Sequence, residues 1–532
     1  MAYAYAYAYA YDNASNRLTF TDTQGAKTAY VHDALNRTTS IQDANANTFG
    51  FSYDTLGHRT RLTRPNGVNT SYSYDSLSHL LSVTHQGVAS TLDGVSYTYD
   101  SAGNRTSKAN LLNGTTSTYA YDSLYQLTSV MQGLNSVEAY SYDVVGNRLT
   151  SQAVSSYTYN TSNELTTADA ATFTYDNNGN TLTKTDSAGV TRYSWDFENR
   201  LLSVVLPDGS VVSFQYDPFG RRIQKASVTF LYDGADLVEE TDATGNLTAQ
   251  YSFGLSIDEP LAAYRGGSLV FYDADGVGSI TSLTTPNGAA SDHFTYDSFG
   301  YPAPSTGTFL QPFRFTGREF DGETGLYYYR ARYYDSHTAR FLSEDPDKDG
   351  VSGSLYMYVE NRPITMADPL GTKGLLVGPQ TNPVWVTAFN EGFVEALKRV
   401  SDPDCKALFC GKGKKAKKLD LGQVLKDTEY RLLAFEKGST AGTQTNSATD
   451  VFLNSNGPFV KPSATIYIPF DKLGMTSKRQ VTFDSLAAMR AFVLLHELGH
   501  QLKVFSPDIF PFLNGTHSLR VIENCFKDAT HD

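Results

Sequence analysis

Near its C-terminal end the chain carries His496, Glu497 and His500 within "LLHELGHQL". Two histidines at this spacing share one face of a helix and suit a single zinc ion. A glutamate directly after the first histidine reaches a metal-bound water without being a ligand. The chemistry this points to is metal-assisted hydrolysis. Zinc lowers the pKa of the water, Glu497 takes its proton as the water attacks a peptide carbonyl, and the proton passes to the leaving amine. Gly499 leaves room beside the metal. The bland reading is a surface helix with two solvated histidines. The surroundings favour zinc: "FDSLAAMRAFVLLHELGHQL" contains no proline, Asp484 or Ser485 stands at its cap, and Leu486, Met489, Val493 and Leu494 form an apolar stripe.

A third ligand must come from elsewhere. A metzincin continuation needs glycine and histidine where Lys503 and Ser506 stand, so that class is excluded. Asp508, His517 and Glu523 remain. Glu523, in "SLRVIENCF", sits on a second expected helix at a distance typical of gluzincins and is preferred. His517 lies in a Gly-Thr loop and Asp508 follows Ser-Pro, settings that more often mean exposure and a turn. Upstream, "DVFLNSN" and "ATIYIPF" read as strands, one of which would lie beside the helix and take substrate by strand addition. Helical patterns are expected over 384–400 and 419–435, with the lysine run "GKGKKAKK" (Gly411 to Lys418) between them as a solvated loop.

The elements that carry this helix belong to a long and very different chain. At 532 residues it exceeds one ordinary core, so several domains are expected. Tyr 36, Phe 30 and Gly 42 mark strands and turns. A formal net charge of −13 argues against a protein that coats nucleic acid. Cys405, Cys410 and Cys525 are too few for a disulfide framework. No apolar run reaches the length of a membrane-spanning helix. The start, "MAYAYAYAYAYDNASNR", lacks the pattern of a secretory leader and runs straight into a repeat, as if the chain began in mid-array.

Aromatic–Asp pairs recur at Tyr53–Asp54, Tyr74–Asp75, Tyr99–Asp100, Tyr121–Asp122, Tyr142–Asp143, Tyr175–Asp176, Trp195–Asp196 and Tyr216–Asp217, usually about 21 residues apart. Alternating aromatic and small polar residues precede many pairs, as in "SYTYD" and "ATFTYD"; a turn and Asn-Arg follow, as in "YDSAGNRTSKAN" and "YDVVGNRLTSQA". Period-two alternation puts one set of side chains on each face of a sheet. The Gly-Asn step suits a hairpin turn with positive φ. Each unit is therefore a β-hairpin, and hairpins placed edge to edge make a long sheet.

These residues resemble the YD repeats of the Rhs family, shared with Tc toxin C components and teneurins. The resemblance covers roughly residues 1–340 and implies a sheet that spirals into a hollow shell. The stretch "PFRFTGREFDGETGLYYYRARYYDSHTARFLSEDP", followed by "SLYMYVENRPITMADPLG", resembles the Rhs core-associated segment, after which a variable payload begins. In that family two aspartates and an arginine release the payload by aspartyl-type autoproteolysis. The matching positions are Asp345, Asp368 and Arg332. Two close carboxylates cannot both ionise easily, so one keeps a proton as acid while the other acts as base, and arginine orients a carboxylate with a forked pair of hydrogen bonds. Without the resemblance, both aspartates are turn residues before proline. The family pattern has a large residue, and the cut after it, where this chain has Thr372, which leaves the cleaved bond open. "DPDKDG" opens like a calcium loop, but Tyr356 stands where its glutamate is needed.

The expected architecture is an all-β repeat shell over 1–310, a core-associated autoproteolysis segment over 311–371, and a smaller α+β zincin-like domain over 372–532. The expected function is that of an Rhs-type polymorphic toxin: secreted or delivered from a bacterial surface, with a zinc peptidase payload, a protein substrate in the target cell, a delivery machinery and a cognate immunity protein, and with no nucleic-acid partner and no membrane span. The rivals are a non-enzymatic adhesion protein and a payload acting on nucleic acid or membrane.

Overall fold

The computed structural model describes residues 7–346 apart from 15 and 255, residues 353–372, and short strands between 375 and 531. The chain divides into a unit of Asn47–Gln380 and a unit of Met1–Ala46 with Thr381–Asp532.

In the Asn47–Gln380 unit the chain meanders. From Thr48–Tyr53 to Asn135–Ala139 each strand neighbours the next in sequence. After the short pair Ser141–Tyr142 and Arg148–Thr150, a 15-stranded sheet runs in chain order from Tyr157–Tyr159 to Ala290–His293. A four-stranded antiparallel sheet follows, made of Glu319–Asp321, Leu326–Tyr329, Arg332–Asp335 and Arg340–Phe341. Met366–Ala367 then pairs with Leu375–Leu376.

The repeat hairpins are made by the residues that recur. At Asp100, Oδ1 accepts the backbone N–H groups of Ala102 and Asn104, both at 2.9 Å, and Oδ2 accepts the Asn104 side-chain amide at 2.9 Å. Gly103 takes φ +83°, a conformation that a Cβ would penalise. Asp143–Asn147 and Asp176–Asn180 repeat the arrangement. Elsewhere His79, Gln126 or Arg200 replaces the asparagine as the side-chain donor. The aromatic partner ties one unit to the previous one. The hydroxyl of Tyr99 donates to the Leu80 carbonyl at 2.8 Å, that of Tyr142 to Leu127 at 2.7 Å, and that of Tyr216 to Leu201 at 2.7 Å. Trp195 does the same with its indole N–H to Thr181, at 2.7 Å.

The arginine that ends the repeat phrase turns inward. Arg105 donates to the carbonyls of Ile364 (2.9 Å) and Gly276 (3.0 Å) and lies over the Tyr97 ring. Arg222 is fully buried against Glu319 (2.8 Å) and Asp321 (2.5 Å). The repeats are thus bolted to the segment after residue 310. That segment supplies much of a core of Phe299, Phe315, Tyr327, Tyr329, Tyr334, Phe341 and Tyr358, packed on Leu127 and Val130.

In the other unit, Ala8–Tyr11, Arg17–Thr21, Lys27–His32 and Thr38–Gln42 continue the antiparallel pattern. Both strands expected upstream of the histidine cluster are present, as Asp450–Asn454 and Thr465–Lys472. The helix expected over 419–435 needs correction: Glu429–Leu433 is a strand, parallel to Asp450–Asn454. The short stretch Tyr430, Arg431, Leu432 and Leu433 fits either period, and pairing with a neighbouring strand decides it.

Candidate self-cleavage site

The four-stranded sheet brings three chain segments to one buried place. Arg332 opens a strand directly after the tight turn at Arg330 and Ala331, across which Tyr329 and Arg332 pair. Asp345 follows the strand Arg340–Phe341, its N–H bonded to the Leu355 carbonyl at 2.9 Å. Asp368 follows the strand Met366–Ala367. All three side chains are buried.

The Arg332 guanidinium is the hub. Its Nη2 lies 2.7 Å from Asp345 Oδ2 and 3.2 Å from Asp368 Oδ2. Its Nε donates to the Gly371 carbonyl at 2.5 Å, and its Nη1 to the Leu355 carbonyl at 3.0 Å. Its flat face rests 3.6 Å from the centre of the Phe341 ring, a stacking that only a planar cation makes well. The three residues matched by resemblance are therefore brought together.

The chain end of the segment is held just as closely. The Thr372 N–H donates to Asp368 Oδ1 at 3.1 Å. Gly371 takes φ +69°, and a Cβ there would collide with the Tyr329 carbonyl oxygen. The Gly371–Thr372 peptide thus has its carbonyl oxygen on Arg332 and its nitrogen on Asp368. Burial pushes the Asp368 carboxyl above its ordinary value, against the pull of Arg332. A carboxyl so placed holds a proton beside a peptide nitrogen. Its neighbour Asp345 is paired to the same guanidinium, at 2.7 Å.

Sequence reasoning did not single out Phe341, the Leu355 carbonyl or Arg330. The first two act through a ring face and a backbone oxygen, which no motif records. Arg330 lay in view in "YYYRARYYD", two positions before Arg332.

His496, Glu497, His500, Asp508, His517, Glu523, the three cysteines and the lysine run all lie outside the described residues. Among the described residues no group of three or more histidine, cysteine, aspartate or glutamate side chains is placed to hold a metal ion. Nor is any described helix long and apolar enough to cross a membrane.

The family model described as Teneurin YD-shell matches residues 109–351, and the one described as RHS Repeat matches residues 53–87. The repeat region is thus similar to YD-repeat shells of the Rhs type. Among curated proteins the chain is similar to the tRNA nuclease WapA of Bacillus subtilis (strain 168), with 33% identity over 294 residues, 52% of this chain and 11% of that protein. It is likewise 33% identical over 215 residues to the probable deoxyribonuclease RhsB of Dickeya dadantii (strain 3937), 36% of this chain and 14% of that protein. The chain thus spans only about a tenth of the length of the curated relatives it matches. The crystal structure of TcdB2-TccC3-TEV shares the fold, with a TM-score of 0.57 at 23% identity over 69% of this chain and 21% of that one. Arg332 and Asp345 lie within the residues matched by the YD-shell model, and Asp368 and Gly371 lie just beyond them.

Proposed function

We propose that this chain is part of an Rhs-type polymorphic toxin whose YD-shell cuts itself after Gly371 and frees the chain from Thr372 onward as a payload. The carrying observation is that one guanidinium, Arg332, touches Asp345, Asp368 and the Gly371 carbonyl together. Asp345 takes a proton from water, whose oxygen adds to the Gly371 carbonyl carbon. Negative charge gathers on the Gly371 oxygen, where the Arg332 Nε already donates. The carbon–nitrogen bond breaks as Asp368 gives its proton to the Thr372 nitrogen, 3.1 Å from Oδ1. Water supplies a hydroxyl to Gly371, and the proton passed to Asp345 returns the pair to its starting charge. The test is the mass of the fragments from freshly made chain. The expected new N-terminus is Thr372, and an intact wild-type chain would sink the reading.

For the payload, the motif of His496, Glu497 and His500 supports a zinc-dependent peptidase acting on protein in a target cell, with Glu523 as the third ligand. Zinc would supply an acidified water, and Glu497 would hold and pass its proton. A second reading has its own support. The WapA and RhsB relatives are named as nucleases, and the run from Gly411 to Lys418 is rich in lysine. Toxicity lost in E497Q favours the peptidase. Toxicity kept in E497Q, with nucleic-acid binding that falls steeply with salt, favours the nuclease. In both readings the protein is delivered from a bacterial producer by a secretion machinery, and the producer holds a cognate immunity protein.

A further inference from the structure

Three consecutive carbonyls lead into the Gly371–Thr372 bond, and three consecutive residues of the adjoining turn hold them. The Pro369 carbonyl accepts from Arg330 Nη1, the Leu370 carbonyl from the Ala331 N–H at 3.2 Å, and the Gly371 carbonyl from Arg332 Nε at 2.5 Å. Arg332 belongs to the reacting constellation and Ala331 contributes only backbone. Arg330 is different. It occupies φ +58° in a two-residue hairpin turn, a position that glycine or asparagine fills at least cost. A long cationic side chain in that conformation calls for a use of the side chain.

That side chain is gripped from behind. Arg330 Nη2 lies 2.7 Å from Asp258 Oδ1 and 3.1 Å from the Ala235 carbonyl. Asp258 is itself clamped by buried Arg318, Nη1 to Oδ1 at 2.5 Å. Arg318 in turn donates to the Tyr328 carbonyl at 2.7 Å, two residues before Arg330. Both arms of the Arg330 fork therefore grip Asp258, Nη1 reaching Oδ2 at 3.2 Å, and Nη1 also reaches the peptide upstream of the cleaved bond.

We infer that Arg330 is a positioning residue for self-cleavage: held by Asp258, it pins the Pro369 carbonyl so that the Gly371–Thr372 peptide lies between Arg332 and Asp368. This rests on the self-cleavage reading above. It adds a second arginine and a carboxylate from a distant repeat strand connection, so that cutting depends on the shell being assembled around Asp258.

The experiment follows cleavage during cell-free synthesis of the full chain, with D368N as the control for the underlying reading. The expected result is that R330A slows cleavage about tenfold or more, R330K falls between, and D258N resembles R330A. Guanidinium ion added to R330A should restore part of the rate, which a merely structural role would not allow. In the uncut D368N background, adding R330A should shift the melting midpoint by no more than about 2 °C. R330A cleaving within about twofold of wild type overturns the inference. So does a slow R330A whose lost rate tracks lost folded protein without guanidinium rescue. If R330A fails to fold, R330K and D258N decide alone, and wild-type rates in both overturn it. Cleavage persisting in D368N instead overturns the self-cleavage reading itself.

Discussion

Two aspartates in the same kind of turn are driven in opposite directions by what surrounds them. Asp242 is solvated; the Thr244 hydroxyl and the Asn246 amides hold its carboxylate well below the usual range. Asp297 accepts the N–H groups of Phe299 and Tyr301, yet burial and the charge of Glu138 push its carboxyl up to about 7. The folded value exceeds the unfolded one, so folding favours the protonated form. Its contribution is fully present below the unfolded value near 3.8 and is lost as pH rises through about 7. D297N keeps the Oδ1 acceptor and removes the charge. It should melt higher than wild type at pH 8 and no higher at pH 4, as thermal scans would reveal; equal midpoints at pH 8 would contradict the burial argument. Asp368 follows the same logic in catalysis. In the proposed self-cleavage its proton passes to the Thr372 nitrogen, so the cleavage rate should fall as pH rises through its raised value. D345N and D368N should each leave the chain uncut by mass. G371A should do so too, because its Cβ meets backbone at Tyr329 rather than a side chain able to move.

At the scale of elements the repeat is a device for satisfying polar groups where strands reverse. Asp100 caps its turn with two backbone N–H groups, and Tyr99 reaches back to the preceding unit. Y142F removes one such link and leaves the Leu127 carbonyl without that donor. About 1 kcal/mol of stability should be lost, readable by denaturant titration, and no change would show that water replaces the hydroxyl. R222M should cost more, roughly 3–5 kcal/mol, since Glu319 and Asp321 would lose a buried cationic partner. Much of this was legible in the sequence. The alternation before each aromatic–Asp pair gave the strands, and the Gly-Asn step gave the turns. The inward reach of Arg105 and Arg222 was not legible, because their partners lie far along the chain, at Ile364 and Asp321. At the cleavage site, Asp345, Asp368 and Arg332 were found only because the segment resembles a known one; by residue type they pass for ordinary turn and strand residues. The strand Glu429–Leu433 departs from the expected helix because five residues are too few to carry a period of their own.

At the scale of the whole molecule, two hydrolytic chemistries are proposed for one chain, and they differ in what they need. The constellation proposed for self-cleavage is built from two carboxylates, one guanidinium and backbone. The payload motif is a zinc-ligand pattern. A chelator should therefore leave self-cleavage at its wild-type rate while removing zinc, expected at one ion per chain by inductively coupled plasma analysis. H496A and H500A should lose the zinc and still be cut; a cleavage rate that falls with the metal would mean the two chemistries are not separate. E497Q should keep both the zinc and the cut and lose only the toxicity, because its carboxylate handles the water's proton rather than the ion. D368N should give the converse, a chain with intact payload residues that stays uncut. Delivered to target cells, D368N losing toxicity along with E497Q would tie the payload's action to its release. D368N as toxic as wild type would mean that the payload acts while still joined to the shell.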